Sequence, residues 1–505
     1  MKSSTKLLAF LLALVMLIPM SAMAEERPTI SVFVPSDSAI PTEEASVPKA
    51  IGDAIGVNLD CIYVSRADAS SKLSAMIAAG TLPDVFHIDA ITARDLITYG
   101  AVLDMHDLIY SQAPNIVADG EERLKIGINT NGAIYGLPQS MSYPQMMAVR
   151  RDYMAKCGVE VPDGDVMDMN LSDFKQLMID FAQKDPDGNG KDDTFGFCFE
   201  DSSMGMICTI LGAYGLPIGG NWDAYYYDEA AGECFSILKH PGFLTAAKDF
   251  RELYKHGGFD PEFATVADAT TEFGFLWNGT AGAASWSPAG MTNNWRSRYT
   301  QEGVDENSFI YVNIVDDETK TNGGYVIAYN NHWVMISANC KNPEAAIKFL
   351  DYMYSEEGGT LAYLGIEGVH YEWTDKETLQ YKYLNQYAED ITNQRSDGGY
   401  LLWQEFHNDN NFELRSLTPI TVEAINFAKA HQTQNGVIVY TTPACASEIG
   451  TTTRDTVMQC FANLIVAEED QIDAMYQQYV DKFNTIGGRT YEQELTAIYK
   501  AENGI

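Results

Sequence analysis

Residues 185–193 read Asp185-Pro-Asp-Gly-Asn-Gly-Lys-Asp-Asp193, with oxygen-bearing side chains at alternating places. Asp185, Asp187, Asn189 and Asp193 occupy positions 1, 3, 5 and 9 of an EF-hand-type loop, and Gly190 occupies position 6. A hard cation such as calcium takes oxygen ligands at this spacing. It also takes a backbone carbonyl at position 7, here Lys191, and needs a glycine where the chain turns sharply. Position 12 is Gly196, so the bidentate glutamate of a calcium sensor is missing. The spacing predicts a structural calcium ion held by Asp185, Asp187, Asn189, Lys191 and Asp193. The alternative is an acidic Asx/Gly turn with no ion.

Other chemistry has less support in the residue pattern. Ser172-Asp-Phe-Lys175 matches S-x-x-K and Lys320-Thr-Asn-Gly323 loosely echoes K-T-G, but no S-D-N completes the set. Ser172 is better read as a helix N-cap. G-x-S-x-G, H-E-x-x-H and the phosphate loop G-x-x-x-x-G-K-[ST] are absent. Glycoside hydrolysis needs two carboxylates at a set separation, and 70 acidic residues supply such pairs by chance. A secreted carbohydrate-active enzyme therefore stands as a lesser alternative. The eight cysteines form no C-x-x-C pair and are irregularly spaced, which argues against a disulfide scaffold and structural zinc.

The elements that would position these residues begin after a leader. Lys2 and Lys6 precede an apolar run over residues 7–20, then Ser21-Ala-Met-Ala24. This pattern predicts a signal peptide (residues 1–24) cleaved after Ala24, and an exported chain, periplasmic or released. No cysteine follows the apolar run closely, so a lipid anchor has no attachment point. The formal net charge is −37, and removing the leader takes away two lysines and no acid. So acidic a surface excludes nucleic acid and anionic membrane as partners and favours a neutral or cationic ligand.

Thr29-Ile-Ser-Val-Phe-Val34 and Val85-Phe-His-Ile88 read as buried strands, with a helix carrying residues 72–79 between them. The segment 133–138 reads as a hairpin. A helix is expected from Ser172 to about Gln183, and another from Pro343 to Tyr354, since proline suits a first helical turn. Strands are expected over 325–329 and 333–336, and a turn over 287–291. From about Asp455 the chain reads as mostly helical. Strands alternating with helices predict an α/β fold with mainly parallel sheet. At 505 residues, two large lobes are expected rather than one core.

Several pieces, in order, carry a resemblance: Gly80-Thr-Leu-Pro-Asp84, Gly132-Ala-Ile-Tyr-Gly-Leu-Pro138, Arg150-Arg-Asp-Tyr-Met-Ala-Lys-Cys-Gly158, and the acidic loop through Gly196. Gly258-Phe-Asp-Pro-Glu-Phe263, Asn342-Pro-Glu-Ala-Ala-Ile-Lys-Phe-Leu-Asp351 and Gly365-Ile-Glu-Gly-Val-His-Tyr371 follow. Together they resemble the bacterial extracellular solute-binding proteins of family 1, the receptors of ABC importers. The similarity is to the long calcium-containing branch that includes oligosaccharide and alginate receptors. Two features depart from that pattern. The lipobox cysteine is absent, and Thr194 stands where an acidic residue often completes the calcium site.

The resemblance implies a type II periplasmic-binding-protein-like fold of two lobes joined by a hinge, with a helical C-terminal region. Lobe 1 would be 25–147 plus 322–371, and lobe 2 would be 148–321 plus 372–505. A carbohydrate, as an oligosaccharide, would be captured in the cleft by a monomeric receptor and passed to membrane permease subunits. A peptide or other small solute on the same scaffold is the alternative. Sugars need aromatic planes and polar side chains. The expected ligand residues are Trp286, Trp403, Tyr400, Trp277 and Tyr225, with Arg150 and Gln139 as polar partners. Core packing is the competing reading for each aromatic, and an ion pair for Arg150.

Overall fold

The structure is a computed structural model that describes residues 27–36, 41, 45–125, 129, 132–138, 145–199, 207–218, 222–264, 269–288, 303–322, 332–377, 379–389, 397–406, 418–432, 436, 437, 439, 441 and 443–505. The first strands are β1 (Thr29–Ser36), β2 (Asn58–Ser65), β3 (Val85–Asp89) and β4 (Leu137–Pro138). Next come β5 (Met146–Arg150), β6 (Val166–Asn170), β7 (Phe195–Phe199), β8 (Tyr225–Asp228) and β9 (Glu233–Ser236). The last are β10 (Ala281–Trp286), β11 (Phe309–Val315), β12 (His332–Ile336), β13 (Tyr371–Asp375) and β14 (Gln380–Tyr383).

Two five-stranded sheets form two lobes. The first has the order β2-β1-β3-β12-β4, and the second β6-β11-β5-β10-β7. Each sheet is covered on both faces, and the sequence shows why. Along β1, Ile30, Val32 and Val34 enter one core while Phe33 enters the opposite one. Along β5, Met147 and Val149 face one core, and Met146 and Ala148 the other. Strands buried on both sides read as continuous apolar runs.

In each sheet four of the five strands run the same way, as expected, and one runs against them. β1 is parallel to β2 and β3, but β12 is antiparallel to β3, and β4 to β12. In the second sheet β5 runs antiparallel to both β10 and β11. The reversed strands are those that follow a passage between lobes. β5 is the first strand after the chain leaves the first lobe, and β12 the first after it returns. A chain that crosses and comes back arrives pointing the other way, a direction that a βαβ count cannot foresee.

The lobe boundaries differ from the expected ones. Helix Gly399–Phe406, expected in the second lobe with the rest of 372–505, packs on the first, as do Trp373, Tyr381 and Tyr383. Leu401, Leu402, Trp403 and Phe406 share a core with Val47, Ile51 and Phe349. Met147 lies in the second lobe's core, so that lobe starts at β5. Asn322 also belongs there, since its amide donates to the carbonyls of Thr209 (2.9 Å) and Ile314 (2.7 Å).

The helical C-terminal region stands as expected, with helices Ala446–Val466, Ile472–Phe483 and Arg489–Asn503. Phe461 sits 5.4 Å from Phe243 and 5.3 Å from Phe250, which fastens the first of these helices to the second lobe. Helix Pro343–Met353 opens on its proline. Helix Leu171–Gln183 begins one residue before Ser172, and Ser172 is not its cap. Asp317 does that work from another segment, accepting the Ser172 N–H at 3.0 Å. The strand expected over 325–329 lies outside the described residues. Among the described residues, no helix is long and apolar enough to cross a membrane.

Candidate ligand-binding site

The first sheet brings the ends of four strands to one rim. β1 ends at Ser36, β3 at Asp89, and β2 at Ser65, directly before Arg66. The antiparallel β12 begins at the same rim, with His332 paired to Asp89. Open α/β sheets bind ligands outside the carboxyl ends of their strands. A cavity of about 320 Å³ lies at this rim, lined by Phe33, Arg66, His87, Asp89, Thr92, His332 and Glu405 among others. Its lining mixes apolar surface with hydrogen-bonding groups, the usual make-up of a small-ligand pocket.

Glu405 anchors the polar side. It sits on helix Gly399–Phe406 and is 1% exposed. One carboxylate oxygen accepts from Arg66 Nη2 at 2.6 Å, and the other meets His87 Nδ1 at 2.8 Å. Burial pushes this carboxyl up, but the contacts of His87 and Arg66 outweigh it and hold the group below its ordinary value. The His332 ring packs on His87, with centroids 4.8 Å apart. Desolvation of that ring, followed by the proximity of His87, lowers the His332 pKa to about 4. Asp89 accepts from the backbone N–H (3.0 Å) and hydroxyl (2.7 Å) of Thr92. This contact fixes the turn from β3 into helix Ala90–Thr98.

The residues singled out in the sequence fall elsewhere, and most are core. Trp403 is 1% exposed, with Tyr363 at 4.9 Å and Tyr400 at 5.5 Å. Trp277 packs beside Phe195 and Phe309 on one face of the second sheet. Tyr225 stacks on Tyr491 at 4.9 Å, bridging β8 to the last helix. These rings fill space between elements and do not wall the cavity, because apolar area gains most where it is fully enclosed. Arg150 is 3% exposed, pairs with Asp152 through Nη2 at 2.7 Å and lies over the Tyr153 ring at 4.0 Å. Trp286 closes β10 opposite Met146, at the end of the second sheet where the chain arrives from the first lobe. Gln139 lies outside the described residues. The helix of Tyr400 and Trp403 does serve the cavity, but through Glu405 on another face.

The acidic loop folds as a turn built on its own side chains. Asp185 takes φ +47°, and Gly190 takes φ +77°, a conformation that favours glycine. Asp185 accepts the N–H groups of Asn189 (3.1 Å) and Gly190 (2.9 Å). The Asn189 amide nitrogen donates to Asp187 at 2.6 Å and to Asp193 at 2.9 Å. Contact with Asp187, helped by the loop N–H groups, lowers the Asp185 pKa, while burial above all raises that of Asp187. The donor chemistry suits a hard cation, since four oxygen-bearing side chains meet within one short loop. Among the described residues, however, no three His, Cys, Asp or Glu side chains gather as a metal site. The Asn189 amide lies between two carboxylates, and it would have to turn its oxygen inward for a cation to be held. Gly196 explains the missing position-12 ligand. A Cβ there would stand 2.1 Å from the Gly258 carbonyl oxygen, so the position admits no side chain.

Residues 41–360 match the family model described as bacterial extracellular solute-binding protein. The chain belongs to this family. Among curated relatives, the lipoprotein LipO of Bacillus subtilis is 23% identical over 69% of this chain and 68% of its own length. The fructooligosaccharide ABC transporter substrate-binding protein FusA of Streptococcus pneumoniae is 24% identical over 47% of this chain and 46% of its own. A solved structure of an HMO-binding, ABC-transporter-associated solute-binding protein from Bifidobacterium longum infantis superposes with a TM-score of 0.69. It covers 94% of this chain and 99% of that one at 17% identity. A FusA structure described as an EF-hand mutant in complex with fructo-nystose gives a TM-score of 0.65, with 94% of this chain and 99% of that one covered at 17% identity. At such identities the solved structures speak for the fold, a two-lobe solute-binding protein.

Proposed function

We propose that this chain is the exported ligand receptor of an ABC importer, capturing an oligosaccharide between its lobes and delivering it to membrane permease subunits. The observation that carries this reading is the cavity at the rim of the first sheet, where Phe33 supplies apolar surface beside the polar Arg66, His87 and Asp89. Neutral hydroxyl groups suit a rim that carries two carboxylates, whereas a polyanion would be repelled. Trp286, at the end of β10 where that strand pairs with Met146, is the aromatic we assign to the second lobe's side. Closure about the hinge would bring the rims together, with ligand biasing the closed state. Relatives described as fructooligosaccharide- and HMO-binding support the ligand class. The leader would be removed after Ala24, and the receptor would act as a monomer.

Calcium belongs to the same proposal. Asp185, Asp187, Asn189, Asp193 and the Lys191 carbonyl would hold it. There it would neutralise a cluster of carboxylates and brace the end of helix Leu171–Gln183. Thr194 already ties the loop to that helix, its hydroxyl donating to the Phe181 carbonyl at 2.7 Å.

A thermal-shift screen of the mature chain tests the function. The panel holds kestose and other neutral oligosaccharides, trigalacturonate and short basic peptides, and bound compounds are recovered afterwards. Stabilisation by a glycan recovered intact is expected. Stabilisation by peptides alone refutes the ligand class, and a glycan recovered cleaved refutes the receptor role.

A further inference from the structure

His87 carries an unusual combination. Its Nδ1 faces the Glu405 carboxylate at 2.8 Å, while Nε2 is buried with no hydrogen-bond partner among the described residues. A buried polar atom left unpaired is costly, and such atoms are rare without a reason. This one belongs to a ring that lines the cavity, and the exposed residue His332 packs its ring against it. An ionised carboxylate only accepts hydrogen bonds, so Nδ1 must carry a proton and donate. Nε2 is thereby the nitrogen left for a ligand.

We propose that Glu405 is a positioning residue that keeps the proton on His87 Nδ1, and that His87 Nε2 is a specificity-determining contact for a ligand hydroxyl. The ligand reaches it by displacing the His332 ring. This inference deepens the oligosaccharide reading and rests on it for the identity of the group bound. A hydroxyl suits Nε2 because it can donate to the bare nitrogen or accept from a protonated one. A carboxylate can only accept, and it would also meet the charges of Glu405 and Asp89. Arg66 does not reverse this preference, because its guanidinium is engaged by Glu405 at 2.6 Å. His332 is suited to moving because it stands at the rim, and desolvation keeps its ring neutral near pH 7.

Glu405→Gln makes the positioning claim sharp. Gln has one acceptor oxygen where Glu had two. Arg66 can only donate and claims that oxygen, so the amide NH₂ faces His87 Nδ1. Nδ1 must then accept, and the proton moves to Nε2.

The experiment is long-range ¹H–¹⁵N NMR on the full mature chain, with His87 assigned by His87→Asn. Wild type is expected to carry its proton on Nδ1, and Glu405→Gln on Nε2. A wild-type ring protonated on Nε2 alone, or no change in Glu405→Gln, overturns the positioning role without touching the oligosaccharide reading. Kestose and trigalacturonate are then titrated into wild type. A neutral binder should shift the Nε2 resonance, and His87→Phe should weaken it about tenfold, one hydrogen bond's worth. Binding that leaves Nε2 unmoved, or trigalacturonate binding the tighter at pH 7.5, overturns the contact. Failure of both compounds to bind overturns the hydroxyl assignment together with the oligosaccharide reading, while the proton position still decides the role of Glu405.

Discussion

Asp397 should be among the most sensitive surface-proximal positions of the first lobe, and the reason can be worked from its contacts. Its carboxylate accepts the Ser46 N–H at 2.7 Å, the Ser46 hydroxyl at 2.5 Å and His370 Nε2 at 2.6 Å. Ser46 opens helix Ser46–Ile55, which has no side-chain cap of its own, so Asp397 caps it from 351 residues away. His370 is fully buried, and its Nδ1 accepts the Ile366 N–H at 2.9 Å. The proton therefore sits on Nε2, and Asp397 accepts it. Asp397→Ala leaves a buried donor unpaired, which costs about 1–3 kcal/mol. Loss of the cap adds about 1 kcal/mol. The Ser46 hydroxyl, half-buried, turns to water and adds little. The expected loss is about 2–4 kcal/mol, confined to the first lobe. Urea unfolding followed by tryptophan fluorescence reads it, because Trp333 and Trp403 are both fully buried in that lobe. Each lobe is fitted as its own transition, since a chain of this size does not unfold in one step. A loss under about 1 kcal/mol, or an equal loss in the second lobe's transition, would show that Asp397 does not hold Ser46 and His370 in this way.

Three further outcomes are expected. Chelation of divalent cations should lower the melting temperature of the second lobe and leave glycan contacts intact; no shift, with no calcium in the purified protein by elemental analysis, removes the ion from the account. Gly196→Ala should destabilise the second lobe by about 1–3 kcal/mol, as overpacking against backbone does, because its Cβ would stand 2.1 Å from the Gly258 carbonyl and 2.7 Å from Met178 Cβ. Unchanged denaturation would show that β7 can move. Acid should weaken the first lobe: the unfolded chain protonates His332 below about 6.5 and the folded one only near 4, so stability falls as pH drops through that window. Glu405, lowered from 4.5, adds stability that is present above that value and is lost at still lower pH. Melting curves from pH 7 to 4 should fall more steeply for wild type than for His332→Asn, and parallel curves would contradict this.

What the sequence made legible follows from how local each signal was. β1 and β3 could be read because both their faces are buried and their runs are mostly apolar, interrupted only by Ser31 and His87. Helix Pro343–Met353 announced itself by a proline at its first turn. The acidic loop was legible because its residues are consecutive. Trp403 and Trp277 misled for a physical reason. A large ring is equally suited to a sugar face and to a core, and nothing in its neighbours' identities separates the two. Helix Gly399–Phe406 was expected in the second lobe but packs on the first, because packing decides membership, and Phe406 meets Phe349, 57 positions earlier, at 5.5 Å.

The cavity was illegible for a different reason. Its polar centre joins Arg66 to Glu405, which are 339 residues apart, and His87 to Glu405, 318 apart. No spacing rule spans such distances. One local signal was nonetheless present. Arg66 directly follows β2, while His87 and Asp89 are the third and fifth residues of β3. Charged and imidazole side chains toward the carboxyl ends of strands are placed where a parallel sheet opens to ligand. A strand interior selects for apolar fit, so a polar residue at its end has been kept for something other than the core. In this chain that residue type, read at strand ends, points to the ligand rim more directly than the tryptophans do. His87 and Asp89 should tolerate substitution for folding better than for binding. His87→Phe that unfolds the lobe, where His87→Gln does not rescue it, would place His87 with the core and leave the rim to Asp89 and Arg66.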